Sequence, residues 1–286
     1  MSMQMQHFFD PNTWTLTYLV YDQDSRQGVV IDPVMDFDPK NGRTRNESSE
    51  GVARYIDAHR LTLLYALDTH AHADHLSGMQ FFRQRYGAQT VIGARITQVQ
   101  QRFRDLYNLG PTFPVDGRQF DRLLNEGERL TIGGLYLTAL HTPGHTPACM
   151  TYQIGDALFV GDTLFQPDYG TARCDFPGGS AAALYDSIQR MYAMPNPTRL
   201  FTCHDYQPDG RPLRYESTVG EQKATNIQLN GRTTKEEFIA FRAQRDATLA
   251  APVLILPALQ VNIRAGHLPE PESNGVAYLK LPLNVL

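Results

Sequence analysis

The run Thr69-His70-Ala71-His72-Ala73-Asp74-His75 constrains this chain more than any other stretch. Ahead of it, residues 61–67 form an apolar run of strand length, and behind it residues 76–86 read as a helix. The cluster therefore belongs on a strand-to-helix loop, where open α/β sheets carry their chemistry. His70 and His72, two apart, face the same way on an extended backbone. Asp74 and His75 can fold back over the same point as the chain turns into the helix. Neutral imidazoles and an ionised carboxylate are ligands for zinc, manganese or iron. The chain has only nine histidines, so three in one short loop is not the scatter of a solvated polar segment.

The same layout recurs. Residues 135–140 alternate as a strand and deliver His141-Thr142-Pro143-Gly144-His145. Residues 149–154 and 157–160 read as a hairpin whose second strand runs into Gly161-Asp162-Thr163. Residues 200–203 form a short strand that delivers His204-Asp205-Tyr206. Four strands thus end in metal-competent residues, which can converge if the strand ends share one edge of the fold. Elsewhere, 14–21 and 28–33 read as paired strands, 90–92 as a strand, and 36–49 as a polar surface loop. Helices are expected at 49–59, with Ser48 or Ser49 as cap, and at 96–109, 216–229 and 235–249. Another is expected at 180–194, capped by Ser180 and followed by Pro195. The proline-punctuated stretch after 252 reads as an extended wrap. We expect a single α/β domain over 1–286, with the segment from about 216 onward packed on it.

Several function classes are excluded by bulk properties. The formal net charge of −4 and the absence of a basic run argue against a nucleic-acid partner. No apolar stretch approaches the roughly 20 residues of a membrane span. The N-terminus lacks the layout of a signal peptide, so a cytoplasmic protein is expected. Cys149, Cys174 and Cys203 are an odd, dispersed set, neither a disulfide framework nor a zinc ribbon.

The set His70-x-His72-x-Asp74-His75, His145, Asp162 and His204 resembles the metallo-β-lactamase superfamily. That resemblance implies an αββα sandwich of two mixed β-sheets flanked by helices, with the metal site at one sheet edge. Finer segments are similar to the glutathione-dependent persulfide dioxygenases. They are Thr142 to Pro147, Gly161-Asp162-Thr163-Leu164-Phe165, Arg173-Cys174-Asp175-Phe176, His204-Asp205-Tyr206 and Val261-Asn262-Ile263-Arg264. The family would place one Fe(II) per chain on His70, His145 and Asp162. His72, Asp74, His75 and His204 would hydrogen-bond the ligands and bound water. The implied reaction oxidises glutathione persulfide with O2 and water to sulfite and glutathione. The pattern looks like the bacterial single-domain type without a fused rhodanese. It implies a homodimer, with a separate rhodanese or sulfide-oxidising partner enzyme. Arg173, Tyr206 and Arg214 lie in or just after the loops expected to frame the cleft, and are candidates to hold glutathione carboxylates. Arg173 could instead pair with Asp175. Asp205 and Asn262 read as structural. The alternative is a dinuclear zinc thiolester hydrolase of the glyoxalase II type, using the same histidines with Asp162 bridging two metals. The Arg-Cys-Asp-Phe segment and the proline-containing tail speak for the dioxygenase. A non-catalytic sulfur or metal sensor is a third reading, which the intact ligand set disfavours.

Overall fold

A computed structural model of the chain describes residues 2–285. Three antiparallel strands open it: β1 (Met3–Asp10), β2 (Thr15–Asp22) and β3 (Gln27–Ile31). A short hairpin follows, β4 (Val34–Asp38) and β5 (Arg43–Arg45), then helix α1 (Glu47–Ala58). Next come β6 (Thr62–Leu67), β7 (Leu76–Ser77), α2 (Met79–Tyr86), β8 (Gln89–Gly93), α3 (Ile96–Leu106) and β9 (Arg122–Leu124). The second half holds β10 (Arg129–Ile132), β11 (Leu135–His141), β12 (Met150–Ile154), β13 (Ala157–Phe159), α4 (Ala181–Tyr192) and β14 (Arg199–Phe201). It closes with β15 (Glu216–Thr218), α5 (Val219–Thr225), α6 (Lys235–Asp246) and α7 (Ile255–Asn262).

Two mixed six-stranded sheets result, in the orders β1-β2-β3-β6-β8-β9 and β10-β11-β12-β13-β14-β15. The period-two pattern of the strands sorts side chains into layers. In β2, Leu16, Tyr18 and Val20 point between the sheets, against Leu137, Tyr152 and Phe159 of the other sheet. Leu19 and Tyr21 point outward, into the layer where Val52, Phe82 and Phe103 of α1, α2 and α3 pack. On the far side Leu158 and Leu200 meet Leu184 and Ile188 of α4, Val219 of α5 and Phe238 of α6. The αββα sandwich expected from the resemblance is present.

The rings of Tyr18, Phe159 and Phe201 lie 5.0–5.7 Å apart, and the Tyr18 hydroxyl donates to the Thr202 carbonyl at 2.6 Å. This cluster clamps the two sheets together just before His204.

Several expectations are corrected. The polar stretch 36–49 contains the β4–β5 hairpin, and α1 starts at Glu47 with Asn46 in the cap position. Ser48 and Ser49 do not cap it. Ser48 donates to Asp36 and Ser49 to the Val34 carbonyl, so they tie the helix to the hairpin. Leu76-Ser77 pairs with β4, and α2 begins only at Met79. Residues 216–229 begin as a strand, and α5 ends at Thr225. Helices α3 and α6 stop at Leu106 and Asp246, short of the expected 109 and 249. The tail contains α7, whose Ala258, Leu259 and Val261 are buried. Pro257 sits in its first turn, where a missing N–H breaks no helical bond. Strands β1, β9 and β10 had no clear sequence signal. Among the described residues no helix is long and apolar enough to cross a membrane.

Candidate metal centre

The chain ends that carry the candidate donors meet at one edge of the sandwich. His70, His72, Asp74 and His75 lie in the loop after β6, and His145 in the loop after β11. Asp162 follows β13 and His204 follows β14. Backbone bonds between the sheets hold these loops: the Leu16 amide donates to the Cys203 carbonyl at 2.7 Å, and the Met150 amide to the Thr69 carbonyl at 2.9 Å. Gly161 has φ +54°, and a Cβ there would lie 2.5 Å from Thr69 Oγ1. Only glycine allows Asp162 to approach the His70 loop this closely.

Four overlapping groups of possible ligands are present among the described residues, and two of them hold the candidate donors. One ligand atom each from His70, His145 and Asp162 lie within 4.8 Å of one another, as do those from His72, Asp74, His75 and His204. Asp162 faces both groups. Its Oδ2 is 3.8 Å from Nε2 of His70 and of His145, and its Oδ1 is 3.4 Å from His204 Nε2.

Hydrogen bonds on the far sides of the rings decide which nitrogen faces inward. His145 Nδ1 donates to the Arg173 carbonyl at 2.8 Å, and His204 Nδ1 to the Trp14 carbonyl at 3.2 Å. Both leave Nε2 toward the centre. His72 is turned the other way, with Nε2 on Asp32 Oδ1 at 3.0 Å and Nδ1 inward. Asp32 also accepts from the Thr69 amide at 2.6 Å and the Thr69 hydroxyl at 3.0 Å. Asn262 donates to the carbonyls of His72 and His75 and accepts from the Ser77 amide, each at 2.8 Å, so α7 staples the histidine loop.

The inward atoms are left without hydrogen-bond partners: His70 Nε2, His72 Nδ1, His75 Nε2, His204 Nε2 and Asp162 Oδ1 are all buried and unsatisfied. His204 Nε2 is 3.1 Å from Asp74 Oδ2 but not aligned for a hydrogen bond. Each such buried group costs about 1–3 kcal/mol. Convergent nitrogen and oxygen lone pairs of this kind fit metal coordination, so the residues match the group that the motif implies. Protonation agrees. Burial, followed by the neighbouring imidazoles His72 and His145, pushes His70 well below the usual imidazole range. Burial and His75 do the same for His72. Both rings are therefore neutral near neutral pH, as metal ligands must be.

Asp74, His75, His145 and Asp162 line a cleft of about 740 Å³. Trp14, Phe165, Tyr169 and Tyr206 supply an aromatic wall, and the β4–β5 hairpin borders the cleft as well. Trp14 has φ +55°, a strained backbone for a bulky residue, and its carbonyl is the acceptor that orients His204. Of the three residues expected to hold substrate, Tyr206 lines the cleft and lies parallel to the His204 ring at 5.6 Å. Arg173 also lines it, but is bound to Asp175 at 2.5 and 2.6 Å and to the Ala250 carbonyl at 2.7 Å. Arg214 turns to Glu221 at 2.6 Å and is not among the cleft residues. Asp205, read as structural, accepts from Arg211 and from the Arg214 amide. His141 bonds the Pro147 carbonyl and joins neither donor group. Sequence reasoning missed Asp32, Trp14, Tyr169, Arg242 and Arg245. Asp32 had a signal, since it too follows a strand directly. The arginines share a face of α6, but nothing local links that face to the cleft.

Residues 15–204 match the metallo-beta-lactamase superfamily. Across 99% of its length the chain is 50% identical to a probable metallo-hydrolase of Burkholderia pseudomallei, all of which it covers. It is 51% identical to a beta-lactamase hydrolase-like protein of Xylella fastidiosa, spanning 98% of this chain and 64% of that one. It is 46% identical to glyoxylase B2 of Dictyostelium discoideum, over 94% of this chain and 92% of that protein. Persulfide dioxygenase ETHE1 of mouse is 32% identical over 92% and 88% of the two chains. The crystal structure of ETHE1 from Myxococcus xanthus superposes with a TM-score of 0.74 at 30% identity, covering 92% of this chain and all of that one. Kinship with persulfide dioxygenases is thus present but more distant than to proteins with hydrolase-type names. The matched family, the sandwich and the convergent histidines and carboxylates agree, and the chain belongs to the metallo-beta-lactamase superfamily as a metal-dependent enzyme.

Proposed function

We propose that the chain is a non-haem iron(II) persulfide dioxygenase that oxidises glutathione persulfide with O2 and water to sulfite and glutathione. The grouping of His70, His145 and Asp162 without His72 supports this reading. Two imidazoles and one carboxylate are the donor set of non-haem iron(II) oxygenases. Iron(II) in that set would supply the redox chemistry toward oxygen. The protein's own groups orient the donors. Arg173 and the Trp14 carbonyl fix the rings of His145 and His204. Burial works against charge on His204, while Asp74, Asp162, the Trp14 carbonyl and Asp32 together favour it, and its pKa is raised. The persulfide would come from a separate rhodanese or sulfide-oxidising enzyme.

A second reading, a dinuclear zinc glutathione thiolester hydrolase, is favoured by the second donor group, His72, Asp74, His75 and His204. The names of the more similar relatives point the same way. Metal analysis of protein made without added metal, paired with oxygen uptake on glutathione persulfide, separates the two. A single iron per chain, with oxygen consumed and sulfite formed, is the expected result. Two zinc ions, no oxygen uptake and cleavage of S-lactoylglutathione would replace the dioxygenase with the hydrolase.

A further inference from the structure

Most arginines at the cleft are already engaged. Arg173 is held by Asp175 and the Ala250 carbonyl. Arg242, 2% exposed, binds Asp246, the Gln228 side chain at 3.0 Å and the Thr171 carbonyl at 3.4 Å. Arg45 faces Glu47 at 3.6 Å. Arg43 and Arg245 line the same cleft, and among the described residues the ion pairs engage Arg45, Arg173 and Arg242 but neither of these two. An exposed, unpaired guanidinium at a cleft wall is a ready partner for a carboxylate, which its planar fork binds bidentately.

Arg245 differs from Arg43 in its surroundings. Arg43 sits on a three-residue exposed strand. Arg245 occupies the last turn of α6, and that end of the helix is riveted to the loop that carries the metal centre. Asp246 accepts from Arg242 and from the Cys174 amide at 2.8 Å. The Arg173 carbonyl in the same loop holds His145. Arg245 lines the cleft together with Tyr169, and its charge, with that of Arg242, opposes the rise that burial imposes on the Tyr169 hydroxyl. From Tyr169 an aromatic path leads back to the donors. The Tyr169 and Tyr206 rings lie 4.6 Å apart, and the Tyr206 and His204 rings 5.6 Å apart.

We propose that Arg245 is a specificity-determining residue that receives a carboxylate of the substrate's thiol carrier, with Tyr169 and Tyr206 forming the floor between that carboxylate and the sulfur at the metal centre. The proposal rests on the glutathione reading above. Glutathione carries a carboxylate at each end, and an extended chain spans about 3.3–3.6 Å per residue.

The test is binding, measured by calorimetry on the metal-loaded protein with reduced glutathione and with its diethyl ester, which lacks both carboxylates. Trp14, the single tryptophan, lines the cleft and gives a parallel fluorescence readout. Wild type should prefer glutathione. Arg245→Ala should weaken glutathione roughly tenfold or more and leave the diester unchanged, so the preference disappears. Arg245→Lys should retain part of it. With glutathione persulfide, KM should rise in Arg245→Ala while kcat holds, and an unchanged thermal midpoint would exclude a folding defect. If Arg245→Ala binds glutathione with the full preference, the Arg245 assignment is wrong and the glutathione reading survives. If the wild-type protein does not bind glutathione, both fall.

Discussion

At Asp162 one carboxylate addresses both donor groups, Oδ2 toward His70 and His145 and Oδ1 toward His204. Removing it should empty the three-donor group, and so should removing His70. His72 belongs to the other group, and its Nε2 is committed to Asp32. We therefore expect His70→Ala and Asp162→Ala to lose bound iron, and His72→Ala to keep much of it while turning over slowly. Metal content of the three purified variants checks this, and equal loss in all three would dissolve the two-imidazole, one-carboxylate assignment. The ring orientations depend on single bonds from residues distant in sequence, such as His204 to the Trp14 carbonyl. No spacing rule shows such partners, which is why the donors were legible in the chain and their tautomers were not.

Among the elements, α6 shows how a helix outside the sheets serves the site. Its Thr234–Glu237 capping box and buried Phe238 were foreseeable from a helical pattern. Its anchor, the buried Arg242–Asp246 pair, was not. Both residues are charged, and a solvated face is the ordinary reading of charge on a helix. Arg242→Ala would leave the Asp246 carboxylate buried against the loop, a change that typically costs about 3–5 kcal/mol. The expected result in chemical denaturation is a loss of that order, partly recovered when Asp246 is also replaced by Ala. A loss below about 1 kcal/mol would mean the pair is solvated in solution. The β4–β5 hairpin was hidden for a related reason. Its strands are short, β5 is polar and fully exposed, and β4 becomes a strand through pairing with β5 and with Leu76-Ser77.

For the molecule as a whole, the centre joins both sheets, so metal and stability should be linked. A ligand that binds only the folded state adds about 4 kcal/mol at a thousand times its dissociation constant. Chelation should lower the thermal midpoint by several degrees, and restoring Fe(II) should raise it again. A midpoint indifferent to chelator and to metal would show that the unsatisfied inward atoms are satisfied in another way.

The donors, their order and the strand that delivers each were legible in the sequence alone, because every donor segment is contiguous and follows a local strand signal, an apolar run at 61–67 and alternation at 135–140. The tertiary structure decided how the donors divide into two groups and which ring nitrogen faces inward. It also decided that Arg214 turns away to Glu221 while Arg245 lines the cleft. These outcomes rest on hydrogen bonds, ion pairs and burial between residues brought together only when the two sheets pack. A side chain's partner in that setting is set by three-dimensional proximity, which local sequence does not encode.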